Sequence, residues 1–311
     1  MEKIAIIGAG LVGRGWAMVF ARAGHEVALY DVDPTALKKN LAVIRGALKD
    51  LRAARLVTEP PERIYRRIRA AASLEDALAG ADYAQENVRE TLAVKKEIFA
   101  AMDMLAPPAT ILASSTSTIP ASAFTKELKG RRRCMVAHPV NPPHLVPLVE
   151  LCPSPWTAKR IVTRARALHE SVGQVPIIVK KEIQGFILNR LQASILNEAL
   201  SLYADGYATA ADIDKAVRDG LGMRWSFMGP FETIDLNAPG GVADYAARYG
   251  QVVYEQVCSQ APRRWKKDII ARLTRERRAA LPANGLAGRQ AWRDRRLMAL
   301  AVHKREASKT I

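Results

Sequence analysis

The first half of the chain alternates short apolar runs with longer stretches in which apolar residues recur every three or four positions. The short runs predict β-strands at residues 3–7, 26–30, 68–72, 82–86, 110–114, 134–138, 147–151 and 176–179. The longer stretches predict α-helices near residues 11–23, 34–55, 60–67, 91–105 and 157–172. Strands that alternate with helices are typical of a parallel sheet covered by helices. We therefore expect an α/β fold, a doubly wound parallel sheet of the Rossmann type.

From Gln184 onward this alternation stops. Segments such as GFILNRLQASILNEALSLYADG keep their apolar residues at helical spacing, which predicts an all-helical C-terminal domain. We place the division after residue 182, giving an α/β domain at 1–182 and a helical domain at 183–311. No long Gly/Ser linker lies between them, so we expect the two domains to pack closely around a ligand-binding cleft.

The charge of the chain does not indicate a nucleic-acid partner. The net charge of +16 is uneven, with basic and acidic residues numbering 27 and 18 in residues 1–182, 5 and 9 in 183–262, and 15 and 4 in 263–311. The basic residues of the last segment interrupt helical patterns such as KKDIIARLTRERRAAL and are not interleaved with stacking aromatic residues. We interpret them as solvated helix faces and expect no binding of nucleic acid.

Neither a membrane nor a metal is indicated. No run approaches the roughly 18 apolar residues of a membrane helix, and MEKIAIIGAG lacks a basic and apolar leader, so we expect a cytoplasmic protein. Cys134, Cys152 and Cys258 are far apart and lack C-x-x-C spacing, which argues against a disulfide framework and a zinc site. The five histidines show no ligand spacing, so no metal is expected.

Gly8, Gly10 and Gly13 form the pattern G-x-G-x-x-G between the strand KIAII and a helix. In such a turn the first glycine permits the bend, the second lets the backbone approach a pyrophosphate, and the third allows close packing of helix on sheet. A second strand, EVALY, is followed by Asp31. A carboxylate at this position bonds the hydroxyls of an adenosine ribose and repels an additional phosphate. The sequence therefore predicts a site for NAD rather than NADP.

Candidate catalytic residues follow two later strands. The segment ILASSTSTIP places hydroxyl residues after one strand, at the edge where doubly wound sheets bind ligands. The next strand ends at His138, and Glu150 interrupts the apolar strand LVPLVEL. A buried acid needs a partner, and a carboxylate on one imidazole nitrogen leaves the other nitrogen to accept a proton. We therefore predict that His138 and Glu150 pair.

A set of segments together resembles a known family: GAGLVGRGWAMVF, SSTS, VAHPVNPPHLVPLVEL, GFILNRLQ, GLGMRWSFMGPFET and GRQAWRD. The chain resembles the 3-hydroxyacyl-CoA dehydrogenase superfamily over nearly its entire length, and within it the branch of lambda-crystallin and L-gulonate 3-dehydrogenase. The resemblance implies an NAD-dependent dehydrogenase that oxidises a secondary alcohol at carbon 3 of a small substrate.

The resemblance also implies roles for single residues. His138 matches the general base that removes the proton of the C3 hydroxyl, and Glu150 matches its carboxylate partner. Ser117 and Asn189 match the residues that hydrogen-bond the reacting oxygen of the substrate. These four residues are expected to form the catalytic site.

The resemblance extends to the cofactor site. Leu11 and Val12 lie at the glycine turn, and Glu90 and Lys95 match positions that contact NAD in this branch. The family commonly has a proline before that glutamate, where this chain has Arg89.

Two sequence differences from the acyl-CoA dehydrogenases indicate which kind of substrate the protein binds. Those proteins usually show S-N-T-S in the serine loop and G-x-G-Y-P-M-G-P in the helical domain. This chain has Ser115 for the asparagine and reads GLGMRWSFMGP, with Arg224. An arginine matches a free carboxylate in two-point geometry, so Arg224 is expected to hold the carboxylate of a 3-hydroxy acid. L-Gulonate, giving 3-dehydro-L-gulonate, is the first expectation.

Other functions stay open at this point. The alternatives are a short-chain 3-hydroxyacyl-CoA dehydrogenase acting on 3-hydroxybutyryl-CoA, and a carnitine 3-dehydrogenase, whose substrate offers a carboxylate to the same arginine. A non-enzyme alternative is a crystallin-like structural protein, against which the intact catalytic residues argue. The apolar faces of the helical domain predict a homodimer formed through that domain.

Overall fold

The structure of the protein, a computed structural model, describes residues 1–309. Contacts within the chain define two compact units. The first contains Met1–Asn189 together with the segment that begins at Gln290, and the second contains Arg190–Arg289. The boundary between the two compact units therefore lies after Asn189. The sequence pattern predicted a domain boundary after residue 182.

The first unit is built on a sheet. Within the described residues its strands are β1 (Lys3–Ile7), β2 (Glu26–Tyr30), β3 (Ile68–Ala70), β4 (Tyr83–Glu86), β5 (Ile111–Ser114), β6 (Cys134–Pro139), β7 (Leu148–Pro153) and β8 (Val175–Ile178). Their order is β3-β2-β1-β4-β5-β6-β7-β8. The direction of winding reverses between β1 and β4, which is the position where doubly wound sheets bind ligands. The predicted Rossmann-type fold is confirmed.

One strand pair departs from the parallel pattern. β6 and β7 are antiparallel, whereas the other neighbouring strands of the described sheet are parallel. In this antiparallel pair His138 lies directly opposite Glu150. Side chains opposite each other on neighbouring strands have Cβ atoms about 4.5–5.5 Å apart. The register of the sheet therefore brings the two residues together.

Helices cover both faces of this sheet. They are α1 (Leu11–Arg22), α2 (Pro34–Ala53), α3 (Pro61–Tyr65), α4 (Leu74–Leu78), α5 (Leu92–Leu105), α6 (Ala121–Thr125) and α7 (Lys159–Ser171), with a 3-10 turn at Arg131–Arg133. The sequence pattern predicted α3 but not α4 or α6, which are equally short. The Oγ atom of Ser73 accepts a hydrogen bond from Asp76 N at 3.0 Å and so caps the start of α4.

The strands are buried on both faces, as a sheet between two helical layers requires. Along β1, Ile4 and Ile6 pack in one apolar cluster together with Trp16 of α1. Ala5 and Ile7 pack in the cluster on the opposite face. This alternation follows from the two-residue period of a strand. The sheet is thereby fixed from both sides, and its edge can hold loops in defined positions.

The second unit is helical, as predicted. The helices that follow the sheet are α8 (Leu188–Ala204), α9 (Ala210–Lys215), α10 (Gly222–Trp225), α11 (Pro230–Leu236), α12 (Gly241–Ser259) and α13 (Lys267–Ala280), with a π-helical segment at Ala216–Leu221. Glu276 Oε1 accepts a hydrogen bond from Ala210 N at 3.2 Å. The guanidinium of Arg272 lies 4.5 Å from the centre of the Tyr203 ring. In residues 1–309, no helix combines the length and hydropathy needed to span a bilayer.

The last helix, α14 (Leu286–Ala307), enters the first unit from Gln290 onward. Met298 is 9% exposed and belongs to the same apolar cluster as Trp16. Arg305 Nη1 donates a hydrogen bond to the carbonyl oxygen of Arg55 at 2.7 Å. The sequence pattern did not show this return, because it predicts a helix but not the domain against which that helix packs.

Candidate active site

The glycine turn joins β1 to α1 at the carboxyl edge of the sheet. Gly8 has a φ of +95°, and a Cβ built on Gly13 would lie 1.8 Å from the carbonyl oxygen of Gly8, so both positions require glycine. A Cβ on Gly10 would meet nothing within 4 Å. This side of the turn is therefore open in front of the first N–H groups of α1, where Leu11 and Val12 lie. Such N–H groups lack intrahelical partners and, with the helix dipole, fit a pyrophosphate.

Asp31 follows β2 and is held against this turn. Its Oδ2 atom accepts a hydrogen bond from Ala9 N at 2.7 Å, and its Oδ1 atom accepts one from Asp33 N at 3.0 Å. Each carboxylate oxygen keeps a second lone pair that can accept from a ribose hydroxyl. The open turn, the helix start and the acid at the end of β2 together fit NAD.

Replacing Asp31 with alanine should weaken the binding of NAD more than that of NADP. The substitution removes an acceptor for the ribose hydroxyls and also a charge that repels the additional phosphate of NADP. Hydrogen bonds to a charged group contribute about 1.5–3 kcal/mol each, so the loss for NAD should be roughly tenfold or more. Fluorescence titration of both dinucleotides measures it, with Asp33→Ala as the neighbouring control. An unchanged ratio of the two affinities would show that Asp31 does not face the ribose.

His138 and Glu150 form a buried pair at the end of β6. The distance from His138 Nδ1 to Glu150 Oε2 is 2.7 Å. His138 is 6% exposed and Glu150 is fully buried. A carboxylate only accepts hydrogen bonds, so Nδ1 carries the proton of the neutral ring. The other ring nitrogen, Nε2, is therefore the proton acceptor.

The second oxygen of Glu150 caps the start of α8. Oε1 accepts hydrogen bonds from Ile187 N at 2.8 Å and from Leu188 N at 2.9 Å. Burial raises the pKa of Glu150, but the hydrogen bonds from His138 and from these two N–H groups outweigh it, so the pKa lies below its ordinary value. Glu150 is therefore ionised, and it is held from both sides.

Phe186 covers the His138 side of this pair. The two ring centroids are 5.6 Å apart, and Phe186 is fully buried. The φ of Phe186 is +48°, in the left-handed region that a bulky side chain rarely adopts. Strain of this kind costs about 1–3 kcal/mol and persists where the surrounding structure holds the residue in place. Here it places an aromatic ring against the imidazole.

Glu90 organises the loop that carries Ser117. Its Oε1 atom accepts hydrogen bonds from Thr116 Oγ1 at 2.6 Å, from Ser117 N at 2.8 Å and from Thr118 N at 3.2 Å. Burial raises the pKa of Glu90, but the bonds from this loop and the charge of Lys95 lower it further, so the pKa is below its ordinary value. A charged carboxylate therefore anchors the serine loop.

A buried ion pair lies behind Glu90. Lys95 Nζ donates to Glu86 Oε1 at 2.8 Å and to the carbonyl oxygen of Val88 at 3.1 Å, and it lies 3.5 Å from Glu90 Oε2. Burial raises the pKa of Glu86, against the lowering effects of Lys95 and of the Ser114 hydroxyl. The contacts of Glu90 and Lys95 with NAD stay predictions. The bonds described here place both residues in support of the serine loop.

Asn189 connects the two parts of the site. Its Nδ2 atom donates a hydrogen bond to the backbone oxygen of Ser117 at 2.8 Å. Leu188, the residue before it, is bonded to Glu150 through its N–H group. Hydrogen bonds, together with the peptide bond between Leu188 and Asn189, therefore connect the four predicted catalytic residues.

Arg224 belongs to the second unit. It lies on α10 and is exposed, as are its neighbours Met223 and Trp225. Its contact with a substrate stays a prediction.

Two residues of the site were missed by the sequence analysis. Glu86 ends an otherwise uncharged strand, and the argument that an acid in an apolar strand needs a partner, which identified Glu150, would have found it. Phe186 gave no such signal, because a phenylalanine beside a helix start is ordinary in sequence.

A Rossmann-type sheet with an open glycine turn, next to a buried histidine–carboxylate pair, defines a dinucleotide-dependent alcohol dehydrogenase. The family model for the 3-hydroxyacyl-CoA dehydrogenase NAD binding domain matches residues 3–183, and that for the C-terminal domain matches residues 185–277. The chain belongs to the 3-hydroxyacyl-CoA dehydrogenase family. It is accordingly an NAD-dependent hydroxy-acid dehydrogenase.

The chain is similar to proteins described as crystallins and to proteins described as dehydrogenases. It is 39% identical over 306 residues to the lambda-crystallin homolog of Mus musculus, covering 97% of this chain and 96% of the relative. It is 37% identical over 251 residues to the L-carnitine dehydrogenase of Pseudomonas aeruginosa, covering 80% and 77%. A solved 5-formyl-3-hydroxy-2-methylpyridine 4-carboxylic acid 5-dehydrogenase, described as an NAD+-dependent dismutase, superimposes with a TM-score of 0.84 at 28% identity, covering 97% of both chains.

Proposed function

We propose that the protein oxidises the C3 hydroxyl of a small 3-hydroxy acid with NAD, and that L-gulonate, giving 3-dehydro-L-gulonate, is its substrate. The observation that carries this proposal is the 2.7 Å hydrogen bond between His138 Nδ1 and Glu150 Oε2. It leaves Nε2 as a proton acceptor in a network that also holds Ser117 and Asn189.

In the structure the Ser117 hydroxyl donates to Glu90 Oε1 at 3.3 Å. In the proposed reaction this hydroxyl turns to the oxygen of the substrate, which the remaining amide proton of Asn189 also holds. His138 Nε2 accepts the hydroxyl proton as the C–O single bond becomes a carbonyl. Glu150 stabilises the imidazolium that forms. NAD, held at the glycine turn and by Asp31, would supply the acceptor for the hydride from C3. Each atom of the alcohol is thereby accounted for: the proton goes to His138 and the hydride to the cofactor.

The preference for a free acid rests on Arg224. A guanidinium offers two parallel N–H groups that match a carboxylate, whereas a thioester has no charge at that position. The similarity to an L-carnitine dehydrogenase supports this preference, because L-carnitine is itself a 3-hydroxy acid with a free carboxylate. The similarity to lambda-crystallin homologs over nearly the full chain supports the same branch of the family.

Steady-state NADH formation at alkaline pH tests the proposal. L-Gulonate, L-carnitine, 3-hydroxybutyrate and 3-hydroxybutyryl-CoA are compared side by side, and L-gulonate should give the highest kcat/KM. A preference for L-carnitine would assign the carnitine 3-dehydrogenase activity instead. A preference for the thioester would assign the acyl-CoA activity and leave Arg224 unexplained. Binding of NAD without turnover of any alcohol would favour a crystallin-like structural role.

The variant Arg224→Ala should raise the KM for L-gulonate while leaving the KM for the thioester unchanged. Loss of hydrogen bonds between charged groups costs about 1.5–3 kcal/mol, which corresponds to roughly 10- to 100-fold in KM. Arg218→Ala is the matched control, because Arg218 is also exposed and forms an ion pair with Asp219. Equal losses for the acid and the thioester would contradict the role of Arg224 as a carboxylate anchor.

We also propose that the second unit forms a homodimer. Its large exposed side chains include Phe227 at 72%, Phe231 at 79%, Tyr254 at 64% and Trp265 at 63% exposure. Apolar groups exposed to this extent are typical of a surface that another subunit covers. Light scattering after size-exclusion chromatography should give twice the chain mass of 34.1 kDa. A monomer mass at micromolar concentration would contradict the proposal.

A further inference from the structure

A cluster of polar side chains lies inside the first unit, behind the cofactor edge of the sheet. It consists of Trp16, Gln85, Asn87 and Ser115, and we call it the Ser115 cluster. Gln85 is fully buried within β4, and Ser115 directly follows β5. Polar groups buried in an apolar sheet are costly unless they are bonded, so their bonding pattern indicates what they hold in place.

The hydroxyl of Ser115 is fully used by the protein. Its Oγ atom accepts hydrogen bonds from Trp16 Nε1 at 3.1 Å and from Gln85 Nε2 at 2.7 Å. It donates its proton to Asn87 Oδ1 at 2.7 Å. A hydroxyl has one proton and two lone pairs, and all of them are taken. Ser115 therefore acts within the protein and not on a cofactor or substrate.

The cluster joins the ends of several strands at the cofactor edge. Gln85 gives its second amide proton to the carbonyl oxygen of Ala137 at 3.0 Å, in the residue before the proposed general base. Asn87 Nδ2 donates to the carbonyl oxygen of Ile7 at 3.3 Å, in the last residue before the glycine turn. Ser115 itself begins the serine loop. The cluster thus bonds the catalytic strand β6, the serine loop and the glycine turn to one another.

The orientation of the cluster is set from deeper in the fold. The hydroxyl of Tyr83 donates to Gln85 Oε1, so its oxygen is left to accept from His169 Nε2 at 3.0 Å. Burial lowers the pKa of His169 to about 3, so the ring is neutral and carries one N–H group. The amide oxygen of Gln85 therefore faces Tyr83, and its NH₂ group faces Ser115 and Ala137.

We infer that Ser115 and Gln85 are positioning residues for the dehydrogenase reaction. They hold the serine loop and the end of β6 in register with the glycine turn, an inference that rests on the proposed roles of Ser117 and His138. The cluster also accounts for serine where the acyl-CoA members carry asparagine. The hydroxyl of Ser115 accepts two hydrogen bonds and donates one at a single oxygen atom. In the carboxamide of asparagine the oxygen only accepts and the nitrogen only donates, so it cannot replace this hydroxyl at one point.

Ser115→Ala removes the shared atom, so that Trp16, Gln85 and Asn87 each lose one hydrogen bond. A misplacement of about 1 Å can cost on the order of 100-fold in rate, so we expect kcat to fall by roughly 10- to 100-fold. NAD affinity should be nearly unchanged, because the glycine turn keeps its backbone hydrogen bonds from Asn87 N and Gly8 N. Ser115→Thr keeps the hydroxyl and should retain most of the activity, whereas Ser115→Asn should behave like the alanine variant.

Ser154→Ala is the matched control for a loss of stability alone. Ser154 is 5% exposed and its Oγ atom is 2.8 Å from Thr157 Oγ1, at the opposite edge of the sheet. Both alanine variants should lower the Tm, but Ser154→Ala should keep the wild-type kcat. If Ser115→Ala kept kcat within about twofold of wild type while its Tm fell, the cluster would be structural only and the inference would be overturned.

Amide hydrogen exchange gives a readout that does not depend on turnover. The N–H groups of Ser117 and Thr118 are bonded to Glu90, so Ser115→Ala should speed their exchange and Ser154→Ala should not. If the wild-type protein oxidised none of the four alcohols, the proposed function would fail, but the exchange rates would still decide on the Ser115 cluster. Unchanged protection of the serine loop in Ser115→Ala would overturn the positioning role.

Discussion

His138→Asn should lower kcat by about 10²- to 10⁴-fold, the contribution of a positioned general base. Asparagine is polar, but its amide offers no nitrogen that can accept the hydroxyl proton. Glu150 loses one donor but keeps the hydrogen bonds from the N–H groups of Ile187 and Leu188. The site should therefore keep its fold, and the loss should appear in the chemical step.

Single-turnover and steady-state assays measure this loss, and titration with NAD shows whether the cofactor site is intact. NAD affinity should stay near the wild-type value, because the side chain of His138 bonds to Glu150, whereas Asp31 bonds to Ala9 N in the glycine turn. His303→Asn is the control, since His303 is exposed on α14. Near-normal turnover by His138→Asn would mean that another group accepts the proton.

Much of the fold was predictable because it depends on local patterns. The strands β1 and β2 match their predicted bounds, and the glycine spacing identified the turn before α1. The short helices α4 and α6 were missed, although α3, which has the same length, was predicted. The return of α14 to the first unit depends on a few apolar contacts such as Met298, and these are hidden in a strongly charged segment.

Part of the site was predictable, because a buried charged side chain requires a hydrogen-bonding partner. An acid in an apolar strand and a histidine at a strand end implied a pair, and the antiparallel register of β6 and β7 explains how it forms. The antiparallel direction itself was not predicted, although the connection PVNPPHLV at residues 139–146 is too short for the crossover that parallel strands require and contains turn-forming residues. The Ser115 cluster was not predictable either, because it joins residues far apart in sequence that are individually unremarkable in strands and loops.

The two carboxylate oxygens of Glu150 have different roles. One oxygen fixes the tautomer of His138, and the other caps α8, the helix that begins with Leu188 and Asn189. The ionised carboxylate therefore links His138, the proposed general base, to the start of α8, where Asn189 donates to the backbone oxygen of Ser117. A substitution that keeps the shape of Glu150 but changes its hydrogen bonds separates these two tasks.

Glu150→Gln should lower kcat about as strongly as the loss of the base itself, by about 10²- to 10⁴-fold. The amide oxygen should face the two N–H donors of Ile187 and Leu188, because the NH₂ group cannot accept from them. The NH₂ group then faces His138 Nδ1, which must accept a hydrogen bond. The proton of the neutral ring moves to Nε2, and the nitrogen that should take the substrate proton is blocked.

The measurement that distinguishes this tautomer argument from simple damage is nitrogen NMR of the His138 ring, with kcat measured in parallel. The wild-type ring should carry its proton on Nδ1, and the Glu150→Gln ring should carry it on Nε2. Glu170→Gln is the matched control, since Glu170 forms an exposed ion pair with Arg166. An unchanged tautomer together with a large loss of kcat would mean that the charge of Glu150, and not its hydrogen bond to Nδ1, supports catalysis.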